Sequence, residues 1–223
     1  MILLEVRDGY FKGFGRYLKT FSLKPYRLPL AALLLAALLM IFDPMLLPLV
    51  QNQDSLLASF VTSFGGSMGR SSNCWIFLIV CYLIAWLAKL KKERKLLFGA
   101  LLSSFITSGL ATFFKFLLLR ARPEAELGPY SFFHFEGLIY DERMFQSFPS
   151  GDVAVVAGAA VFFFYALKNR VAKWLIFLLP LCTAFARVSV NRHWPSDTAI
   201  AMSLGWIAAA WVWNYHKQVQ PVT

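Results

Sequence analysis

The chain has 223 residues, 58% of them hydrophobic and only 15% charged, with a formal net charge of +10. Soluble domains are roughly 45–50% apolar and about 25% charged, so a multi-span membrane protein is expected instead of a soluble globule. A charge of +10 in a soluble chain would point to nucleic acid, but the basic residues here flank apolar blocks, and no nucleic-acid partner is expected.

Residues 1–27 mix Tyr10, Phe11, Phe14, Tyr17, Leu18 and Phe21 with lysines and arginines. The apolar stretch at the very start is too short and too interrupted by charge for a signal peptide. The segment reads either as an interfacial stretch on an anionic membrane surface or as a partly ordered basic tail. Six apolar blocks follow, at about 28–50, 73–90, 97–118, 153–167, 171–189 and 197–214. About 20 helical residues cross a hydrocarbon core, so the fourth and sixth blocks are short. Cys74, Cys81 and Cys182 all sit in apolar segments, with no metal-ligand spacing.

The expected architecture is all-α, a six-transmembrane-helix bundle in one membrane domain (28–214), with an outer loop at 119–151 and a tail at 215–223. Alternate connections carry 15 of the 22 basic residues, which puts them and both termini in the cytoplasm. The other side holds Arg70, Lys115, Arg120, Arg122, Arg143, Arg187 and Arg192. Cations on the disfavoured side call for a reason, and a bound anion supplies one.

Three clusters fall on that side. Lys115 and Arg122 are seven residues apart, close to two helical turns, so they are expected to share a face, with Pro123 ending the helix. They read either as a phosphate grip or as cations snorkelling to the headgroups. Ser150 and Gly151 precede the fourth block, where a helix N-terminus offers free N–H groups to an anion. An ordinary helix cap, with Ser150 as N-cap and Asp152 in the first turn, explains the same residues. His193 and Asp197 are four apart, with Pro195 suited to a first helical turn. Asp197 is expected to bond one ring nitrogen and leave the other free as a nucleophile. A purely structural pair is the other reading. Arg187, six residues before His193, is positioned to bind the same anion. Together the clusters describe a phosphoryl-transfer site built from positioning and charge, with no metal or cofactor required.

The segments KFLLLRARP (115–123), PSGD (149–152) and ARVSVNRHWPSD (186–197) resemble the three motifs of the type 2 phosphatidic acid phosphatase superfamily of membrane lipid phosphatases. The resemblance implies that His193 is a nucleophile passing through a phosphohistidine and Asp197 its orienting partner. It implies that Lys115, Arg122, Arg187, Ser150 and Gly151 bind the phosphate. Ala186 stands where the family usually has Ser, and Asp152 where it usually has the His that protonates the leaving oxygen.

Four readings of Asp152 stand side by side. It is itself a protonated general acid; the leaving group is a phosphate that needs no proton; His134 or a water supplies the proton; or the site is impaired. The resemblance implies a lipid phosphate substrate met at the bilayer, in a bacterial inner membrane with the site facing the periplasm or exterior. Phosphatidylglycerol phosphate, phosphatidate, undecaprenyl diphosphate and lipid A all fit. A phosphotransferase using a lipid diphosphate, and a lipid-phosphate binder without catalysis, are the alternatives. A transporter fits poorly, because spans three to six carry almost no ionisable residue at mid-membrane depth. The acidic and aromatic loop 124–147, with Glu124, Glu126, Glu136, Asp141 and Glu142, reads as a lid or as packing over the outer face.

Overall fold

The computed structural model describes residues 22–51, 55–135 and 143–219. Within them the chain is helical, with helices α1 (Arg27–Leu39), α2 (Asp43–Gln51), α3 (Leu56–Met68), α4 (Ser71–Leu87), α5 (Lys91–Leu118), α6 (Gly151–Ala166), α7 (Arg170–Ser189) and α8 (Pro195–Val219). Tyr10, Phe11, Phe14, Tyr17, Leu18 and Phe21 of the expected interfacial segment lie outside the described residues, as do Glu136, Asp141 and Glu142 of the loop. The described part of the N-terminal segment includes a single 3-10 turn, Lys24–Tyr26, which leads directly into α1.

Among the described residues, three stretches are long and apolar enough to cross a membrane: Lys24–Gln51, Lys91–Ala125 and Arg170–Ser189. A fourth crossing is available if α3 and α4, bent by 61° where they meet, act as one broken span. The α3 helix differs from expectation, since the apolar pattern leaves residues 56–68 in a connection. Its glycines and hydroxyls blur that pattern, but Gly65 allows close packing. A Cβ at Gly65 would collide with the Cys182 carbonyl of α7. The last helix differs as well: α8 runs 25 residues, past position 214 into the expected tail.

The centre of the bundle is α6, whose residues Val153 to Phe162 are all buried. It packs against α5, α7 and α8. Small residues let the helices approach, as packing between apolar helices in lipid requires. A Cβ at Gly205 of α8 would lie 2.7 Å from the Ala157 Cβ and 2.8 Å from the Gly158 nitrogen of α6. The hydroxyl of Ser103 on α5 donates to the Gly158 carbonyl at 2.7 Å. These contacts fix the N-terminal end of α6 beside the end of α5 and the start of α8, where the three sequence clusters meet.

Candidate active site

The α5 helix stops earlier than the spacing of Lys115 and Arg122 suggests. Leu119 takes a left-handed conformation (φ 41°) and caps the helix, with its N–H donating to the Lys115 carbonyl. Such a conformation is unfavourable for a residue with a Cβ by about 1–2 kcal/mol. Arg122 therefore lies beyond the helix in extended backbone. The two cations do not share a helical face. They converge because the chain turns at Leu119, and their charges act on one another.

That turn also points Arg120 inward. Its side chain is fully buried, with Nη1 2.5 Å from Asp197 Oδ1 and Nη2 2.7 Å from Asp43 Oδ2. It also donates to Ser196 Oγ at 2.9 Å and, through Nε and Nη2, to the Pro129 carbonyl. Asp43 in turn accepts from the Ser196 N–H at 2.9 Å and from its hydroxyl at 2.5 Å. A buried cation between two buried carboxylates compensates charge that would be very costly alone. Sequence reasoning counts Arg120 only among the outer cations and gives Asp43 no part in the site. An aspartate and an arginine set in apolar blocks each need a partner, and that is the signal for pairing them.

Asp197, in the first turn of α8, uses its second oxygen for the Trp194 N–H at 2.9 Å and the Ser147 hydroxyl at 2.5 Å. Its distance to His193 Nδ1 is 3.8 Å, too long for the direct bond expected from the i, i+4 spacing. Nδ1 instead lies 2.7 Å from the Ser147 carbonyl. A carbonyl only accepts, so Nδ1 carries the proton and Nε2 is the free lone pair. Asp197 thus acts on His193 by charge across 3.8 Å, while Ser147, a residue the sequence motifs do not single out, contacts both.

His193 is 5% exposed. Burial holds its pKa below the ordinary 6.5, Lys115 and Arg122 push the same way, and the Asp197 carboxylate opposes them. The neutral ring is the nucleophilic form.

Ser150 occupies the N-cap position of α6, but its side chain makes no capping bond. Among the described residues its buried hydroxyl oxygen has no hydrogen-bond partner, and neither does Nε of Arg122 or Nε of Arg187. The ordinary-cap reading of Ser150 therefore does not hold. The Ser150 N–H donates to the Asp197 carbonyl at 3.2 Å, tying α6 to α8. Gly151 faces Lys115, since a Cβ there would sit 3.6 Å from Lys115 Cε. Lys115 Nζ donates to the Gln146 carbonyl at 2.8 Å.

Asp152 does not turn back to its own helix. Its Oδ2 pairs with Arg187 Nη2 at 2.9 Å, and its Oδ1 accepts from Ser71 N–H at 2.8 Å and Ser71 Oγ at 2.5 Å. Arg187 also reaches the Gly66 carbonyl of α3 at 3.3 Å. The sequence offers no sign of Ser71, which is 81 residues from Asp152. His134 lies against Ser131 Oγ at 2.6 Å and stacks on Phe145.

The fold and site define an all-helical, strongly apolar protein that gathers a His–Asp pair, three cations and a helix N-terminus at one end of its bundle. The sequence profile of the PAP2 superfamily matches residues 92–221, and the chain belongs to that superfamily. Its fold is similar to the crystal structure of Aquifex aeolicus LpxE, at 21% sequence identity and a TM-score of 0.56, over 76% of this chain and 93% of that one. No curated protein matches the sequence significantly.

Proposed function

We propose that the protein is an integral membrane lipid phosphatase that hydrolyses a phosphate monoester or diphosphate on a lipid headgroup through a phosphohistidine at His193. The observation that carries this reading is the fixed tautomer of His193, with Nδ1–H held by Ser147 and Nε2 free among Lys115 and Arg122. In this account the phosphoryl group meets Lys115, Arg122, Arg187, the Ser150 hydroxyl and the N-terminus of α6 at Gly151. Unpartnered nitrogens of Arg122 and Arg187 and the Ser150 oxygen supply hydrogen bonds that strengthen as charge develops. Nε2 attacks phosphorus in line, and the imidazolium that forms is stabilised by the Asp197 carboxylate 3.8 Å from Nδ1 and by the Ser147 carbonyl. Water then hydrolyses the phosphohistidine.

Arg120 and Asp43 enter as positioning residues. They hold the Asp197 carboxylate in one orientation, and through it the Ser147 carbonyl that aims His193. Charge stabilisation comes wholly from side chains and backbone in this scheme, with no metal. The reading further takes the protein as one membrane domain of six crossings, with both termini cytoplasmic and the site on the periplasmic or exterior side of a bacterial inner membrane. The distribution of 15 of 22 basic residues on alternate connections supports that orientation.

The test is phosphate release from a panel of lipid monophosphates and diphosphates by purified protein, with His193→Gln as the control. Release by the parent and its loss in the variant is the expected result; full activity of the variant would remove His193 from the mechanism. A transferase reading has one observation in its favour, the engagement of Asp152 by Arg187 and Ser71. A site without a strong proton donor at that position suits phosphoryl transfer from a diphosphate to a second lipid as well as to water.

A further inference from the structure

Asp152 is the charged residue of the site whose role the phosphatase reaction leaves open. Each of its contacts is a donor: the Ser71 N–H and hydroxyl on Oδ1, and a guanidinium on Oδ2. Ser71 is the first residue of α4, so the carboxylate also sits at the positive end of that helix. Hydrogen bonds and opposite charges of this kind favour the carboxylate over the acid. A carboxylate has no proton to give. What Asp152 does hold is geometry: it ties the starts of α4 and α6 to Arg187 on α7.

The other groups of the site have other tasks. Arginine keeps its protons. Lys115 holds the Gln146 carbonyl with one of its three protons and is placed as a phosphate-binding cation, and His193 commits Nε2 to phosphorus. His134 is engaged by Ser131 and Phe145, and His216 packs against Trp213 and Phe162 near the other end of α8. Leaving-group chemistry then decides the substrate. An alkoxide is about as basic as hydroxide and leaves poorly without a proton. A phosphate with a second pKa of about 6 departs near neutral pH without a proton.

A second observation points the same way. Arg122 and Arg192 share the single carboxylate of Glu124, at 3.4 and 3.2 Å. Arg143 lies within electrostatic range of Arg122. Among the described residues, Arg122 and Arg192 thus share one carboxylate at the rim, with Lys115 further in. That arrangement offers cations at two depths and suits a second phosphate beside the first.

Resting on the phosphatase reading above, we infer that the site is specialised for lipid diphosphates over lipid phosphate monoesters, with Asp152 positioning Arg187 instead of donating a proton. The His193 Nε2 lone pair forms a bond to the terminal phosphorus. The bond from that phosphorus to the bridging oxygen breaks, and the oxygen leaves with the electron pair as the lipid monophosphate. A water oxygen then bonds to the phosphorus of the phosphohistidine, and the P–N pair returns to Nε2. The protons of that water leave with inorganic phosphate or pass to solvent.

The experiment uses the purified full chain and a matched pair of substrates, a prenyl diphosphate and the monophosphate of the same chain length, scored by inorganic phosphate release. The expected kcat/KM ratio favours the diphosphate by about a hundredfold or more, the usual scale of general-acid assistance. Asp152→His supplies an acid and should raise monophosphate release by at least about tenfold. Should that variant not fold, the closely isosteric Asp152→Asn carries the test. It loosens Arg187, so KM should rise for both substrates while their kcat ratio stays unchanged. Equal rates on the two parent substrates, or loss in Asp152→Asn confined to the monophosphate, would overturn the inference and leave the phosphatase reading standing. Release from neither substrate by a folded parent would overturn both.

Discussion

Arg120 Nη1 stands 2.5 Å from Asp197 Oδ1 with both side chains fully buried, and the same guanidinium reaches Asp43 at 2.7 Å. The start of α2 is thereby joined electrostatically to the carboxylate that lies 3.8 Å from His193 Nδ1. Removing one member of a buried ion pair leaves the other uncompensated, at a cost of about 3–5 kcal/mol. Arg120→Ala should therefore be poorly folded. Asp43→Asn keeps the shape and should lower kcat by about 10–100-fold, the range seen when outer supports of a reactive group are removed. KM should change little. A thermal melt with steady-state kinetics checks both, and a raised KM with normal kcat would show that Asp43 acts on binding instead.

Ser147 separates two routes from Asp197 to His193. Its hydroxyl donates to Asp197 and its carbonyl accepts from Nδ1. Ser147→Ala removes the hydroxyl and keeps the carbonyl, so the tautomer survives while the link to Asp197 is loosened. The expected loss in kcat is about tenfold, less than for Asp197→Asn, which disturbs Arg120 and Trp194 as well. An equal loss in the two variants would mean that the hydroxyl carries the entire effect of Asp197.

The pH profile follows from His193. Burial, Lys115 and Arg122 all hold its pKa below 6.5, so the neutral ring persists into mildly acidic solution. The acid limb of kcat/KM should lie below pH 6.5. Lys115→Met removes a cation that disfavours the imidazolium, so the His193 pKa rises and the limb moves to higher pH. A limb that stays in place or moves down in that variant would contradict the assignment.

Packing gives a prediction independent of catalysis. Gly205→Ala forces a Cβ to within 2.7 Å of Ala157 and 2.8 Å of Gly158. Overpacking of this kind costs about 1–3 kcal/mol. Gly109→Ala meets nothing within 4 Å and should be neutral or stabilising by up to about 1 kcal/mol. Melting temperatures of the two variants in one detergent compare them directly. Equal melting temperatures would mean that the α6–α8 approach is looser than described.

Much of the site is legible from local spacing because its residues lie in three short segments. Pro195 does open α8, and Gly151 does open α6. What spacing misses depends on contacts between distant parts of the chain. Arg120 meets Asp43 across 77 residues and His193 meets Ser147 across 46. The shared helical face of Lys115 and Arg122 fails because Leu119 adopts a left-handed turn that no Gly or Asn announces. The α3 helix escapes the apolar pattern because Gly65, Gly66 and its hydroxyls dilute it. Gly65 at the same time allows α3 to pack on α7, and the Gly66 carbonyl accepts from Arg187.

The central claim is that His193 Nε2 takes the phosphoryl group. The most direct measurement is rapid quenching of the purified protein in base during turnover of a lipid substrate labelled in its terminal phosphate, followed by mapping of the labelled peptide. The account predicts base-stable, acid-labile label on His193, absent from His193→Gln. Continued turnover in that variant, or label on any other residue, would contradict it.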